Sequence, residues 1–83
     1  MNLDIREIEV TQEDIDKGRP GLGWACPVAR ALRRTLLREA WVSDGFWCGP
    51  ELYYWPLPTE ARSFIRRFDH GKPVHPFKFE VKR

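Results

Sequence analysis

Apolar and polar positions alternate with a period of two in two stretches. Ile8 and Val10 alternate with Glu7 and Glu9 in the segment Leu3 to Val10, and Phe77, Phe79 and Val81 alternate with Lys78, Glu80 and Lys82. Both patterns predict strands with one buried face. Ile5 is out of phase with Ile8 and Val10, which predicts a bulge or an irregular start to the first strand. Elsewhere the period lengthens to that of a helix. Val28, Leu32 and Leu36 are spaced by four, with Ala25, Ala29 and Leu37 flanking them, so a main helix is expected over 27–37 with one apolar stripe. Pro27 suits its first position, where a missing N–H costs nothing. Ala61, Phe64, Ile65 and Phe68 form the apolar face of a second helix, capped by Thr59 and ended by Asp69-His70-Gly71.

Turn chemistry divides the rest. Thr11 caps a short helical turn with acids in its first turn, and Gly18 stops it. A loop, Gly18-Arg19-Pro20-Gly21-Leu22-Gly23, follows. A meander of short strands is expected at Trp41-Val42, Phe46-Cys48 and Glu51-Leu52-Tyr53-Tyr54-Trp55. Its turns are Ser43-Asp44-Gly45 and Gly49-Pro50, and Pro56 and Pro58 close it. The order is β-α-α-β-β-β-α-β. It predicts a single α+β domain over 1–83: a small antiparallel sheet of about four to five strands with two main helices on one face. No internal repeat or linker interrupts it.

Composition narrows the class. Of the 83 residues, 42% are hydrophobic and 31% charged, with four Trp, two Tyr and five Phe, which excludes a disordered chain and lets large rings build a small core. No run of 18 apolar residues and no signal peptide is present, so a soluble cytoplasmic protein without a membrane partner is expected. The net charge of +2 conceals an asymmetry: residues 1–17 balance to −4 and the remainder to +6. Cys26 and Cys48 are too few for a disulfide framework, and a cytoplasmic protein keeps both reduced.

Candidate chemistry is sparse. Cys26 precedes a helix, a setting that can lower a thiol pKa, yet no local motif ties His70 or His75 to it as a base. A small buried cysteine filling the corner between loop and helix is the better account. The set Cys26, Cys48, His70 and His75 lacks the paired short spacing of structural zinc sites. There is no Ser-His-Asp arrangement, phosphate loop or dinucleotide fingerprint. No enzyme activity, metal or cofactor is expected. The most specific pattern is basic and aromatic. Arg30, Arg33, Arg34 and Arg38 form one face of the main helix and Arg62, Arg66 and Arg67 a second basic face, with Trp41, Trp47, Tyr53, Tyr54 and Trp55 nearby. Arginine beside exposed aromatics is the composition of protein-interface hot spots, and also suits stacking on nucleic acid. A sequence pI of about 8.7 lies below that of dedicated nucleic-acid modules.

The segments Asp14-Ile15-Asp16-Lys17-Gly18, Cys26-Pro27-Val28-Ala29, Phe68-Asp69-His70-Gly71, Pro73-Val74 and Pro76-Phe77-Lys78-Phe79 together resemble a family of short proteins encoded in bacteriophage genomes and in prophages of actinobacteria and related hosts. The resemblance implies a phage setting and carries no catalytic residues with it. The expected function is therefore that of a non-enzymatic accessory protein, a monomer or small homo-oligomer in the host cytoplasm. It would bind and inhibit or redirect a host macromolecule, as counter-defence (anti-CRISPR-like) or host-takeover proteins do, chiefly by protein–protein contact. The expected surface comprises Arg30, Arg33, Arg34, Arg38, Trp41, Trp47, Tyr53, Tyr54 and Trp55. A nucleic-acid-binding module and a protein that sequesters a small ligand such as a nucleotide are the alternatives.

Overall fold

The computed structural model describes residues 5–43, 45–51 and 53–82. The expected strand start at Leu3, the turn residue Asp44 and the strand residue Leu52 lie outside these. The elements are β1 (Ile5–Val10), α1 (Gln12–Lys17), α2 (Pro27–Leu36), β2 (Trp41–Ser43), β3 (Phe46–Cys48), β4 (Tyr54–Pro56), α3 (Thr59–Asp69) and β5 (Phe77–Lys82). The α+β class and the element order are those expected. The strands, however, divide between two antiparallel sheets, β1-β5 and β2-β3-β4.

β1 and β5 pair in unbroken register from Ile5 opposite Lys82 to Val10 opposite Phe77. The expected bulge at Ile5 is absent: Ile5 shares the outer face with Glu7 and Glu9 and is 51% exposed. Its inner-face neighbour is Arg6, whose Nη2 donates to the Thr35 carbonyl at 3.2 Å. A cation there suits the last turn of α2, where carbonyls lack helical donors.

α2 packs its apolar stripe on the inner face of β1. Val28, Ala29, Ala31, Leu32 and Leu36 are buried with Ile8, Val10, Phe79 and Val81 in one core. Leu37 does not belong to this stripe. It ends the helix in the left-handed region (φ 56°, ψ 42°), which turns its side chain out to 87% exposure. α3 closes the other side of the core through Ala61 and Phe64. Phe64 stacks on Phe77 of β5 with ring centroids 4.7 Å apart. Thr59 is not the cap of α3. Pro58 occupies that place without a side-chain hydrogen bond, and Thr59 begins the helix.

The meander reaches the same core through Val42, Trp47 and Leu57. Because Val42, Trp47 and Trp55 face one another across the three strands, the residues between them must face outward. The loop before α2 is tied to this sheet by Val42 N–H donating to the Gly23 carbonyl at 2.8 Å. A β-carbon on Gly23 would lie 2.1 Å from the Val42 carbonyl oxygen, so this approach requires glycine.

Candidate functional site

The start of α2 is a structural corner. Cys26 caps the helix, its Sγ accepting from the Ala29 N–H at 3.4 Å, and it is buried. Burial pushes the thiol pKa up, outweighing the stabilising amides of Ala29 and Val28. A reactive thiolate needs the opposite balance.

Arg33 and Arg34 of α2, and Arg38 just after it, are engaged inside the molecule. Asp14, by its spacing from Thr11 an ordinary first-turn acid, is fully buried. Thr11 Oγ1 accepts from the Asp14 N–H, and Asp14 Oδ2 accepts from the Thr11 N–H, a reciprocal capping box. The remaining capacity of the carboxylate is taken by Arg34, whose Nη1 and Nη2 donate at 2.7 and 2.8 Å. Arg30 Nε lies 3.5 Å from the same carboxylate, a charge contact without a hydrogen bond. Burial alone would raise the Asp14 pKa, but the Arg34 guanidinium and the Thr11 N–H hold it below the usual aspartate range. Arg33 donates to the carbonyls of Trp24 at 2.6 Å and Ala40 at 3.1 Å, and Arg38 pairs with Glu51.

These positions limit what Arg33, Arg34 and Arg38 can do for a partner. Drawing Arg34 away would strand a buried carboxylate, a loss of several kcal/mol, whereas an exposed ion pair gains about 0–1 kcal/mol in exchange.

The aromatic residues separate by sheet face. Trp47 is 1% exposed and stacks on the partly buried Trp55 with centroids 6.4 Å apart, so neither is free to dock. Trp41, Cys48 and Tyr54 form one cross-strand row on the outer face, with Cys48 itself buried, and Ser43, Phe46 and Pro56 form the next. Trp41 is 38%, Phe46 43% and Tyr54 66% exposed, with Tyr53 exposed beside them. Trp24 and Leu22, on the loop tied to β2, are exposed as well. Phe46 was not among the expected site residues. Its parity with Trp41 and Tyr54 across the meander would have found it, once the register was known.

A second feature was not anticipated. The loop at 21–23, the turn around Gly45 and α3 enclose a cleft of about 580 Å³. Arg62 and Arg66 line it together with Cys26, Val42, Ile65 and Asp69. Asp69 Oδ1 accepts from the Gly21 N–H at 3.0 Å, which joins the loop to the end of α3.

Among the described residues, no group of three or more His, Cys, Asp or Glu side chains converges as metal ligands would. No helix among them is long and apolar enough to cross a membrane. Comparison with family models, curated proteins and solved structures yields no match.

Proposed function

We propose that this chain is a non-enzymatic binding module that docks a protein on the outer face of its three-stranded sheet. The observation that carries this reading is the outward aromatic surface of Trp41, Phe46 and Tyr54, exposed on a domain that already buries a separate core. Aromatic rings are enriched at protein interfaces because each buries a large area and loses few rotamers on docking. In the phage setting that the family resemblance implies, the bound protein belongs to the host, and the outcome is its inhibition or redirection. The internal engagement of Arg33, Arg34 and Arg38 favours this over nucleic-acid binding along α2, where a phosphate backbone would need those guanidinium groups free.

Affinity capture from host lysate tests it, comparing the natural chain with a Trp41→Ser/Tyr54→Ser variant. The captured protein is then purified and titrated against both chains. Binding that survives nuclease treatment and weakens at least about tenfold in the variant supports protein docking. Capture that disappears with nuclease, or affinity that falls steeply with salt, indicates nucleic acid instead.

A further inference from the structure

We propose that the cleft between the loop at 21–23, the turn around Gly45 and α3 binds a small organic phosphate, with Arg62 and Arg66 holding the phosphoryl group. The cleft volume, about 580 Å³, lies within the range of small-molecule sites. Arg62 and Arg66 are one helical turn apart, so their side chains leave α3 on the same side. The stem of Arg62 lies over the turn at Gly45. There φ is +83° and a β-carbon would meet Arg62 Cδ at 2.7 Å, so glycine both makes the turn and admits the arginine.

The two guanidinium groups differ from those of Arg33 and Arg34 in being available. Arg62 Nη2 has one contact, with Thr59 Oγ1 at 3.5 Å, the outer limit of a hydrogen bond. Among the described residues, the Arg66 guanidinium meets no acceptor, the amides of Leu22 and Gly23 donate to no protein group, and the Ser43 hydroxyl has no partner. Two guanidinium forks in a cleft also lined by Leu22, Gly23 and Ser43, with their unused donors, match a phosphoryl group, which offers three acceptor oxygens and nearly two negative charges. Val42, Ile65 and Leu22 supply apolar wall for the organic portion. Asp69, already holding the Gly21 amide, places an acceptor at the cleft edge that suits a ligand hydroxyl. A phosphorylated sugar or a nucleoside monophosphate has this combination of groups.

The test is a titration of the full chain, followed by amide NMR shifts, with ribose 5-phosphate, adenosine monophosphate, adenosine and inorganic phosphate. Saturable shifts at Gly21, Leu22, Gly23, Ser43 and Gly45 are expected with either organic phosphate and not with adenosine. Ribose 5-phosphate and the nucleotide separate a sugar-phosphate site from a nucleotide site. Arg62→Gln and Arg66→Gln should each weaken binding roughly tenfold, as loss of a charge-assisted hydrogen bond does. Lys72→Gln, outside the cleft on the same basic surface, should change it by less than about twofold. Both arginines are exposed, so thermal melts matching the natural chain will show that these variants fold. Shifts that fail to saturate, inorganic phosphate binding as tightly as the organic phosphates, or equal losses in Lys72→Gln and Arg66→Gln would overturn the proposal. The Trp41→Ser/Tyr54→Ser variant should bind the phosphate normally, which keeps this site separable from the docking face.

Discussion

Arg34 grips Asp14 with both terminal nitrogens, at 2.7 and 2.8 Å, across twenty positions of sequence. Its Nη2 also donates to the Glu9 carbonyl at 2.8 Å, so one side chain ties the end of β1, the cap of α1 and the body of α2. Arg34→Met should lower unfolding stability by about 2–4 kcal/mol, because a buried carboxylate loses its main counter-charge. Adding Asp14→Asn removes that stranded charge and should recover part of the loss. Urea midpoints at unchanged slope would measure both.

Acid should release the same junction. The Asp14 pKa is lowered in the folded chain, so its contribution is complete above the ordinary aspartate value of about 3.9 and is lost as pH falls through the folded value. Stability of the natural chain should therefore drop more steeply below about pH 4 than that of the Asp14→Asn/Arg34→Met pair. Parallel slopes for the two proteins would show that other carboxylates govern the acid limb.

The aromatic residues should divide by face. Trp47→Ala should cost about 3–5 kcal/mol, as truncation of a buried tryptophan does. Tyr54→Ala, on the exposed face, should cost no more than about 1 kcal/mol, the value of a cross-strand pair. Denaturant titration separates the two, and a large loss from Tyr54→Ala would mean that the outer face supports the fold.

Leu37 is an opportunity for stabilisation. A left-handed conformation costs a branched residue about 1–2 kcal/mol, and its exposed side chain recovers little by burial. Leu37→Gly removes that strain while adding unfolded-state entropy, for a net gain of about 0.5–1 kcal/mol. A higher melting temperature is the expected result.

Cys26 should behave as a structural thiol. With burial raising its pKa and leaving it 3% exposed, a thiol reagent should modify it far more slowly in the folded chain than in urea. Rapid modification of the native protein would restore the case for a nucleophile.

The periodic segments were legible from the amino-acid order alone: the stripe Val28, Leu32 and Leu36 and the alternation Phe77, Phe79 and Val81 lie where their spacing placed them. Pairings between distant segments were not. Asp14 has the same local signature whether its carboxylate meets water or Arg34, because the deciding contact comes from another helix. The arginines of α2 and α3 look equivalent as letters. Only the fold decides that Arg33 and Arg34 reach acceptors within the protein and that Arg62 and Arg66 open on a cleft. Trp47 and Trp41 likewise share a composition and differ by which way a short strand turns.

The ladder of Ile5 with Lys82 and Val10 with Phe77 joins segments from opposite ends of the described chain. During synthesis, β1 emerges first and must wait for β5 before its backbone groups find their sheet partners. α2 and the meander rest on nearer neighbours in sequence, and near-neighbour contacts form faster than distant ones. They can assemble the surface on which the seam later closes. α2 can cover Ile8 and Val10 from the inner face before then, so what waits for residue 77 is the hydrogen-bonding edge of β1 rather than its apolar side chains.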